Sequence, residues 1–463
     1  MAELVPERAD LVVLGGGSAG YAAALRGRQL GLEVVLVEED LLGGTCLHRG
    51  CIPTKSLLHV AEVADQVREA AALGLVATVD GVGGVDGSAL RAHRERVVGR
   101  LHRGLQALIA ASGAVVVPGR GKLVAPGAVG VGDRTITAGN VLIATGAEPI
   151  VPAGVTLGDR IVTSDGALEL PEVPGRAVIV GGNVIGLEIG SAWRSLGADV
   201  TVVEARERVL PDTDAALGAA VRRAFRRRGM VVRTGVAVTG VEASPTSAVV
   251  SLGDDTTLDA DVVLVAVGRR PRTSALGLAE AGVRLLDSGH VATDERLATS
   301  APGVFAGGDL VVGPQLAHRG FAHGVFVAEE IAGLAPMPVD DALVPRVTYG
   351  SPEVVSVGLT EDETRTAHGS ATATTYDLAG NGRSLILGTS GHAVIVTRPD
   401  GQIAGVHLVG DRVSEQAGAA LLMVAWESHA ADVAVLPHAH PTQSEALGEA
   451  AMVLAGRPLH AHS

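Results

Sequence analysis

The chain has very few aromatic side chains. Two Trp, three Tyr and four Phe make up 2% of its 463 residues, although 47% of all residues are hydrophobic. Its cores must therefore be filled by Val, Ala, Leu and Ile. Lysine is almost missing as well, with Lys55 and Lys122 the only two. Only two cysteines occur, Cys46 and Cys51, so no second thiol cluster can complete a four-thiolate zinc site. His48 is the only nearby nitrogen ligand, and redox chemistry is the better reading of so close a pair in a reducing compartment. There is no excess of positive charge: 37 basic against 51 acidic residues leave a net charge of −14. Such a chain repels phosphate backbones and anionic lipid surfaces, which argues against nucleic acid and membrane partners. No apolar run is long enough to span a bilayer. The opening MAELVPERAD lacks the cationic start and apolar stretch of a secretory signal, so the expected location is the cytoplasm.

A length of 463 residues is roughly three average domains, so several cores are expected rather than one. The 62 glycines suit a chain with many tight strand-to-helix turns, which favours an α/β fold. One architectural unit occurs twice. Strand LVVL (11–14) runs into Gly15-Gly16-Gly17-Ser18-Ala19-Gly20, an Ala-rich helix, and strand VVLV ending at Glu38. Strand AVIV (177–180) runs into Gly181-Gly182-Asn183-Val184-Ile185-Gly186, a helix to about Leu196, and strand VTVV ending at Glu204. The first Gly precedes the closing Glu by 23 positions in both. The physical reading is a pair of dinucleotide sites. The first Gly makes the turn, the second admits a pyrophosphate to the backbone, the helix N-terminus supplies free N–H groups, and the acid accepts from a ribose hydroxyl. Asn183 stands where the fingerprint has its second Gly. A side chain there is expected to crowd the pyrophosphate and weaken binding, with Asn tolerated because it adopts positive φ more readily than other residues.

Proline-bounded stretches near Glu148 to Pro152 and near Ala335 to Pro345 mark linkers. Beyond the second, the short apolar runs VPRVTY, EVVSVGL, HAVIVT and QIAGVHLVG read as a mainly antiparallel sheet, packed against helices after about Arg412.

Cys46 and Cys51 lie in GGTCLHRGCIPTK. The step Cys51-Ile52-Pro53 reads as a helix entry with Pro53 in the first turn, where its missing N–H costs nothing. The helix N-terminus would then favour a thiolate at Cys51. Lys55 follows one turn later, a compact positive charge in a chain that otherwise uses Arg. The alternative, two buried structural thiols, fits poorly with the flanking Gly-Gly and His-Arg-Gly. On residues alone, HAHPTQSE (438–445) reads as a helix start capped by Thr442, with Glu445 three residues on. The His-x-His pairs at 438 and 440, and at 460 and 462, have no thiol or carboxylate at ligand spacing, so no metal is expected there.

These motifs together resemble the flavin-dependent pyridine nucleotide-disulfide oxidoreductases across essentially the whole chain. The resemblance rests on GGTCLHRGCIPTK and the first fingerprint with Glu38. It also rests on Ala144-Thr145-Gly146 to Pro149, Val267-Gly268-Arg269, Phe305-Ala306-Gly307-Gly308-Asp309, and the run from His438 to Glu445. It implies two Rossmann-like domains, 1–150 for FAD and 151–272 for NAD. A segment 273–340 completes the FAD site, and a C-terminal α+β dimerisation domain spans 341–463.

By the same resemblance, FAD is held by Gly15, Gly17, Gly20, Glu38, Gly146 and Asp309, with Lys55 near the flavin and paired to Glu188. The second nucleotide is held by Gly181, Gly186, Glu204 and Gly268. Cys51 is the flavin-facing thiol and Cys46 the one that exchanges with substrate. His440, oriented by Glu445, is the acid/base and comes from the partner subunit of a homodimer. An imidazole suits that task because it takes and returns protons near neutral pH. Within the family Glu204 favours NAD, since a carboxylate repels a 2′-phosphate. Arg206 and Arg208 read as solvated charges on the loop beyond it.

The segments NGRSL, EQAG, EALGEA and PLHAH look like the branch that oxidises dihydrolipoamide, or a lipoyl-protein domain, within 2-oxoacid dehydrogenase complexes. Two alternatives stand beside it: an NADPH-dependent reductase of small disulfides, of mycothione or glutathione type, and a non-catalytic flavin redox sensor. The lack of further cysteines argues against mercuric reductases and large thioredoxin reductases. His48-Arg49, in place of the Asn-Val of many members, is expected to affect access to Cys46 and not the chemistry.

Overall fold

The computed structural model describes residues 6–75 and 84–461. His462 of the second His-x-His pair lies outside them. Two compact units are formed: one from 6–56, 88–150 and 268–341, the other from 57–75, 84–87, 151–267 and 342–461.

The first unit is built on a sheet whose central strand is Arg8–Leu14. Val34–Glu38 and then Val115–Pro118 join in parallel on one side, and Arg134–Ile143 on the other. Val304–Ala306 adds in parallel along residues 141–143, beside the antiparallel pair Ala128–Val131 and Gly121–Ala125. Leu11, Val12 and Val13 are each 0% exposed, as continuous apolar runs must be when a parallel sheet is covered on both faces. Helices Ser18–Gln29 and Ala317–Ile331 pack against each other over this sheet. Short strands Ala147–Pro149 and Arg269–Pro271 close the unit as an antiparallel pair.

The second unit contains a parallel sheet in the order Val231–Thr234, Asp199–Glu204, Arg176–Val180, Val262–Val265, Ile161–Val162. The crossover between its strands at 231–234 and 262–265 is an antiparallel meander, Val238–Ala243, Ala248–Leu252 and Thr257–Ala260. Downstream stands the antiparallel sheet expected from the apolar runs, in the order Arg346–Thr348, Glu353–Gly358, Ile403–Gly410, His392–Thr397, Thr372–Asp377. Helices Ala417–Ala425 and Glu445–Leu454 cover it. Three elements of this region precede Arg412 that the apolar runs do not mark: the helix Glu361–His368, the edge strand Thr372–Asp377 and the short helix Gly382–Leu387. The strand buries Tyr376 alone, so it carries almost no apolar alternation. The first helix is set by the capping box of Thr360 and Glu363 and not by an apolar stripe.

The fold is therefore α/β, two fingerprint-bearing parallel sheets followed by an α+β segment. Phe225 is the only aromatic among the largest fully buried side chains, the rest being Leu and Ile. No helix of the described residues is long and apolar enough to cross a membrane.

The turn after the first strand leaves no room for a side chain at Gly20, where a Cβ would lie 1.8 Å from the carbonyl oxygen of Gly15. Gly20→Ala is expected to destabilise the protein by about 1–3 kcal/mol as an overpacked contact. A thermal unfolding midpoint equal to that of the parent would contradict this packing.

Candidate active site

The two fingerprint turns are built alike. Gly15 and Gly181 take φ of +99° and +111°, a left-handed region in which a side chain is strained. Their N–H groups donate to Val37 and Val203 carbonyls, both at 2.8 Å. The following amides, of Gly16 and Gly182, donate to Glu38 Oε2 at 2.5 Å and to Glu204 Oε2 at 2.6 Å. The other carboxylate oxygens accept from Asp40 N–H at 2.7 Å and Arg206 N–H at 2.8 Å. Each closing acid thus ties the turn to the end of the second strand. At Gly186 a Cβ would lie 2.3 Å from Gly181 O, which keeps the helix close to the turn just as Gly20 does.

At Asn183 the structure corrects the expectation. Its φ is −99° and ψ −176°, extended backbone that any residue adopts, and Gly17 in the first unit is also extended, with φ −74° and ψ −167°. Positive φ is therefore not what this position demands. The side chain folds back, Oδ1 accepting from Val184 N–H at 2.9 Å and Nδ2 reaching Asp212 Oδ2 at 3.4 Å. Any cost to an anion is competition for a helix N-terminal donor. Arg206 and Arg208 lie on the loop beyond Glu204 as expected, Arg206 exposed and Arg208 half-buried. Arg206 Nη1 donates to Asp212 Oδ1 at 3.2 Å and Arg208 Nη2 to Pro211 O at 2.8 Å, so both are engaged by the loop.

Around the first turn, Gly146 has φ +71° and its carbonyl accepts from Arg272 N–H at 2.9 Å. The Gly268 carbonyl accepts from Ile150 N–H at 2.9 Å. Asp309 sits in the short 3-10 turn Gly308–Leu310; burial pushes its carboxyl up, while the charges of Arg269, Arg319 and His290 act the other way. Two residues that no sequence motif exposed hold this turn, both on helix Ala317–Ile331. His323 Nδ1 accepts from Gly308 N–H at 3.2 Å, and Arg319, 3% exposed, hydrogen-bonds Gly308 O, Val312 O and the Asp341 carboxylate. Glu188, 3% exposed on helix Val184–Ser195, accepts from Tyr349 N–H at 2.9 Å.

Cys46 lies in the five-residue helix Gly44–His48, and the long helix Cys51–Glu69 begins at Cys51 itself. Both sulfurs are half-buried thiols. A hydrogen bond with Cys51, then burial and the Cys51 charge, raise the Cys46 thiol far above its ordinary range, against the opposing charge of half-buried Lys55. Cys51, the sulfur at the helix N-terminus, is the one whose position favours a thiolate. Tyr21, missed in the sequence, is raised by burial and by both cysteine charges. The His48 ring donates through Nε2 to Leu42 O at 2.9 Å and meets His102 edge-on at 4.8 Å between centroids, while Arg49 pairs with Asp40.

In the second unit His440 Nδ1 bonds Glu445 Oε1 at 2.7 Å, and Glu445 Oε2 accepts from Thr442 N–H at 2.7 Å. Burial alone would raise the Glu445 carboxyl. These two hydrogen bonds and the charges of His440 and His460 outweigh it and hold the group below the usual carboxylate range. The carboxylate thus fixes Nδ1 and leaves Nε2 on the exposed side of the ring, His440 being 70% exposed. The expected Thr442 cap is not formed. Its hydroxyl donates to Ala439 O at 2.7 Å, and the helix Glu445–Leu454 starts from Ser444.

The NGRSL segment braces this loop: buried Asn381 donates to Thr442 O at 3.0 Å and buried Ser384 to Gln443 Oε1 at 2.9 Å. The first His-x-His pair diverges, His440 toward Glu445 and His438 over Gly448, while His460 is held by buried Glu449 at 2.8 Å. Among the described residues no cluster of three or more His, Cys, Asp or Glu could hold a metal.

Residues 9–324 match the pyridine nucleotide-disulphide oxidoreductase family and 344–451 its dimerisation domain. The chain is 36% identical to a dihydrolipoyl dehydrogenase of Bacillus subtilis, with 98% of each covered. It is 38% identical to dihydrolipoyl dehydrogenase 3 of Pseudomonas aeruginosa, over 98% of this chain and 99% of the other. Its structure superimposes on that of LpdA from Mycobacterium tuberculosis with a TM-score of 0.88, at 26% identity, over 97% and 100% of the two chains. The protein belongs to the pyridine nucleotide-disulphide oxidoreductase family.

Burial lowers the His323 pKa from 6.5 to about 4, helped by Arg319. Between these values the unfolded chain binds a proton that the folded protein refuses. Stability is therefore expected to fall as pH drops from 6.5 to 4, by up to roughly 3 kcal/mol from this group. Denaturant unfolding at stepped pH would show a shallower acid slope for His323→Gln, and an unchanged slope would refute the assignment.

Proposed function

We propose that the chain is a dihydrolipoyl dehydrogenase, which oxidises a dihydrolipoyl dithiol to its cyclic disulfide while NAD becomes NADH and one proton is released. Similarity along the full length to enzymes of that name carries the reading. The residues fit the two cofactors, FAD and NAD. A Cβ at Gly17 would meet nothing nearer than Gly44 Cα at 4.0 Å, so the first turn has room for a pyrophosphate. Asp309 accepts no hydrogen bond among the described residues and can take hydroxyl donors. FAD, held by Gly15, Gly17, Gly20, Glu38, Gly146 and Asp309, supplies when bound a two-electron acceptor between the cysteine pair and NAD.

The chain's own groups do the sulfur chemistry. A substrate thiolate attacks Cys46 in the Cys46–Cys51 disulfide, and Cys51 leaves as the thiolate its helix N-terminus favours. The second substrate thiol then displaces Cys46 and closes the lipoyl ring. His440 of the partner subunit takes the substrate protons, with Glu445 orienting it. Segments 1–150 and 273–340 serve the flavin, 151–272 the nicotinamide nucleotide, and 341–463 the homodimer. A cytoplasmic 2-oxoacid dehydrogenase complex, presenting lipoyl groups on a protein domain, is the setting in which this reaction is used.

Titrating the yellow holoenzyme with dihydrolipoamide should produce a long-wavelength absorbance band that Cys51→Ser removes. Cys46→Ser and Cys51→Ser should each abolish lipoamide turnover, and His440→Gln should lower kcat by roughly 10²–10⁴. Normal rates in either cysteine variant, or a preference for NADPH with small disulfides, would replace this reading with another.

Asn183→Gly frees the Val184 N–H for a nucleotide phosphate and should lower the KM for NAD by about two- to fivefold, one hydrogen bond being worth about 1 kcal/mol. A KM that does not improve argues against competition for that donor.

A further inference from the structure

The loop after Glu204 carries a cation beside the nucleotide turn. Its backbone is fixed on three sides. Arg206 N–H donates to Glu204 Oε1 at 2.8 Å, Arg206 O accepts from Gly235 N–H at 2.8 Å, and Leu210 N–H donates to Gly182 O at 3.0 Å. Val209 and Leu210, each 1% exposed, anchor the loop in the core below. The Cα of Arg206 is therefore held next to the acid that closes the nucleotide unit, and only its side chain is free to choose a partner. That partner is Asp212, at 3.2 Å from Nη1. The second oxygen of Asp212 faces the Asn183 amide at 3.4 Å, so one carboxylate spans the fingerprint turn and the loop.

The first unit offers a contrast. Its equivalent of Arg206 is Asp40, an acid two residues beyond Glu38. The second unit carries a guanidinium at that place and an acid that neutralises it. A guanidinium beside the ribose end of a dinucleotide site is the group that accommodates a 2′-phosphate, whereas a lone carboxylate excludes one. With Arg206 paired to Asp212 and Arg208 turned to the Pro211 carbonyl at 2.8 Å, the charge left at the turn itself is that of Glu204.

We propose that Asp212 is a specificity-determining residue, which keeps Arg206 from serving a 2′-phosphate and so holds the second nucleotide site to NAD. This rests on the reading of residues 181–204 as that site. Arg206 is the latent phosphate ligand, and Asp212 acts through it as a positioning residue. Arg206 and Asp212 are 64% and 66% exposed, so the restraint is a modest one and small changes should release it.

The test uses the holoenzyme and two probes that need no turnover, 5′-AMP and adenosine 2′,5′-bisphosphate, measured by calorimetry. The parent should bind 5′-AMP and discriminate against the bisphosphate. Asp212→Ala should tighten the bisphosphate relative to 5′-AMP by about two- to fivefold, the worth of one exposed ion pair. Asp212→Asn should do the same, and Arg206→Ala in the Asp212→Ala background should remove the gain. The ratio of kcat/KM for NADPH to that for NADH should follow the same pattern.

Several results would overturn the proposal: equal binding of both probes by the parent, no change in the ratio for either Asp212 variant, or a gain that persists without Arg206. A parallel loss of both probes in the Asp212 variants would also do so, because it would mark the residue as general loop support. Lipoamide turnover of the parent with NAD is scored separately, so failure of the proposal and failure of the functional reading are told apart.

Discussion

The bond between a strand-end carboxylate and the second amide of a glycine turn recurs in both units, and much of the structure depends on it. Glu38 and Glu204 each place one oxygen on Gly16 or Gly182 N–H and the other on the amide two residues beyond the acid. A charge-assisted bond of this kind is stronger than a neutral one. It ties together three pieces that a parallel sheet brings near but does not by itself align: the end of the first strand, the helix N-terminus and the end of the second strand. Once these are locked, the helix N-terminus is held beside the acid, the arrangement that suits an anion.

The sulfur chemistry depends on the same economy of backbone groups. Cys51 opens a long helix, so a thiolate there lies at the positive end of a macrodipole, while Cys46 lies outside that helix and its hydrogen bond with Cys51 pushes its thiol up. Two thiols five residues apart are thereby made unequal by their position alone. The His440–Glu445 couple shows a similar division of labour. Glu445 spends one oxygen on the imidazole and the other on Thr442 N–H, so the loop that carries the ring is fixed by the carboxylate that orients it. Asn381 and Ser384, reaching across from NGRSL, give that loop its second support.

Several of these residues were visible in the sequence because they are local. The fingerprints, their closing acids and the Cys-x4-Cys helix entry each sit within a span of about one supersecondary unit, where period and turn chemistry are legible. His323 and Arg319 were not, because they lie fourteen and ten positions or more from Asp309 and look like ordinary members of an Ala- and Gly-rich helix. Their contacts with Gly308 exist only after that helix has packed back on the sheet. Asn183 was misjudged for a related reason: a fingerprint names the residue type at a position, whereas the φ of −99° is set by how the strand enters the helix.

The sequence by itself determined the class of fold, the two glycine turns with their closing acids and the close spacing of the cysteine pair. All of these follow from residue type and short spacing. Only the tertiary structure decided that Asp212 would face both Arg206 and Asn183, that NGRSL would hold the His440 loop, and that a neutral histidine would support the turn bearing Asp309. The physical reason is that, apart from the Arg206–Asp212 pair within one loop, each joins a side chain of one element to a different stretch of the chain. Their partners are chosen by packing and by the need to pair polar groups left over once the backbone has been satisfied, and neither leaves a periodic trace along the chain.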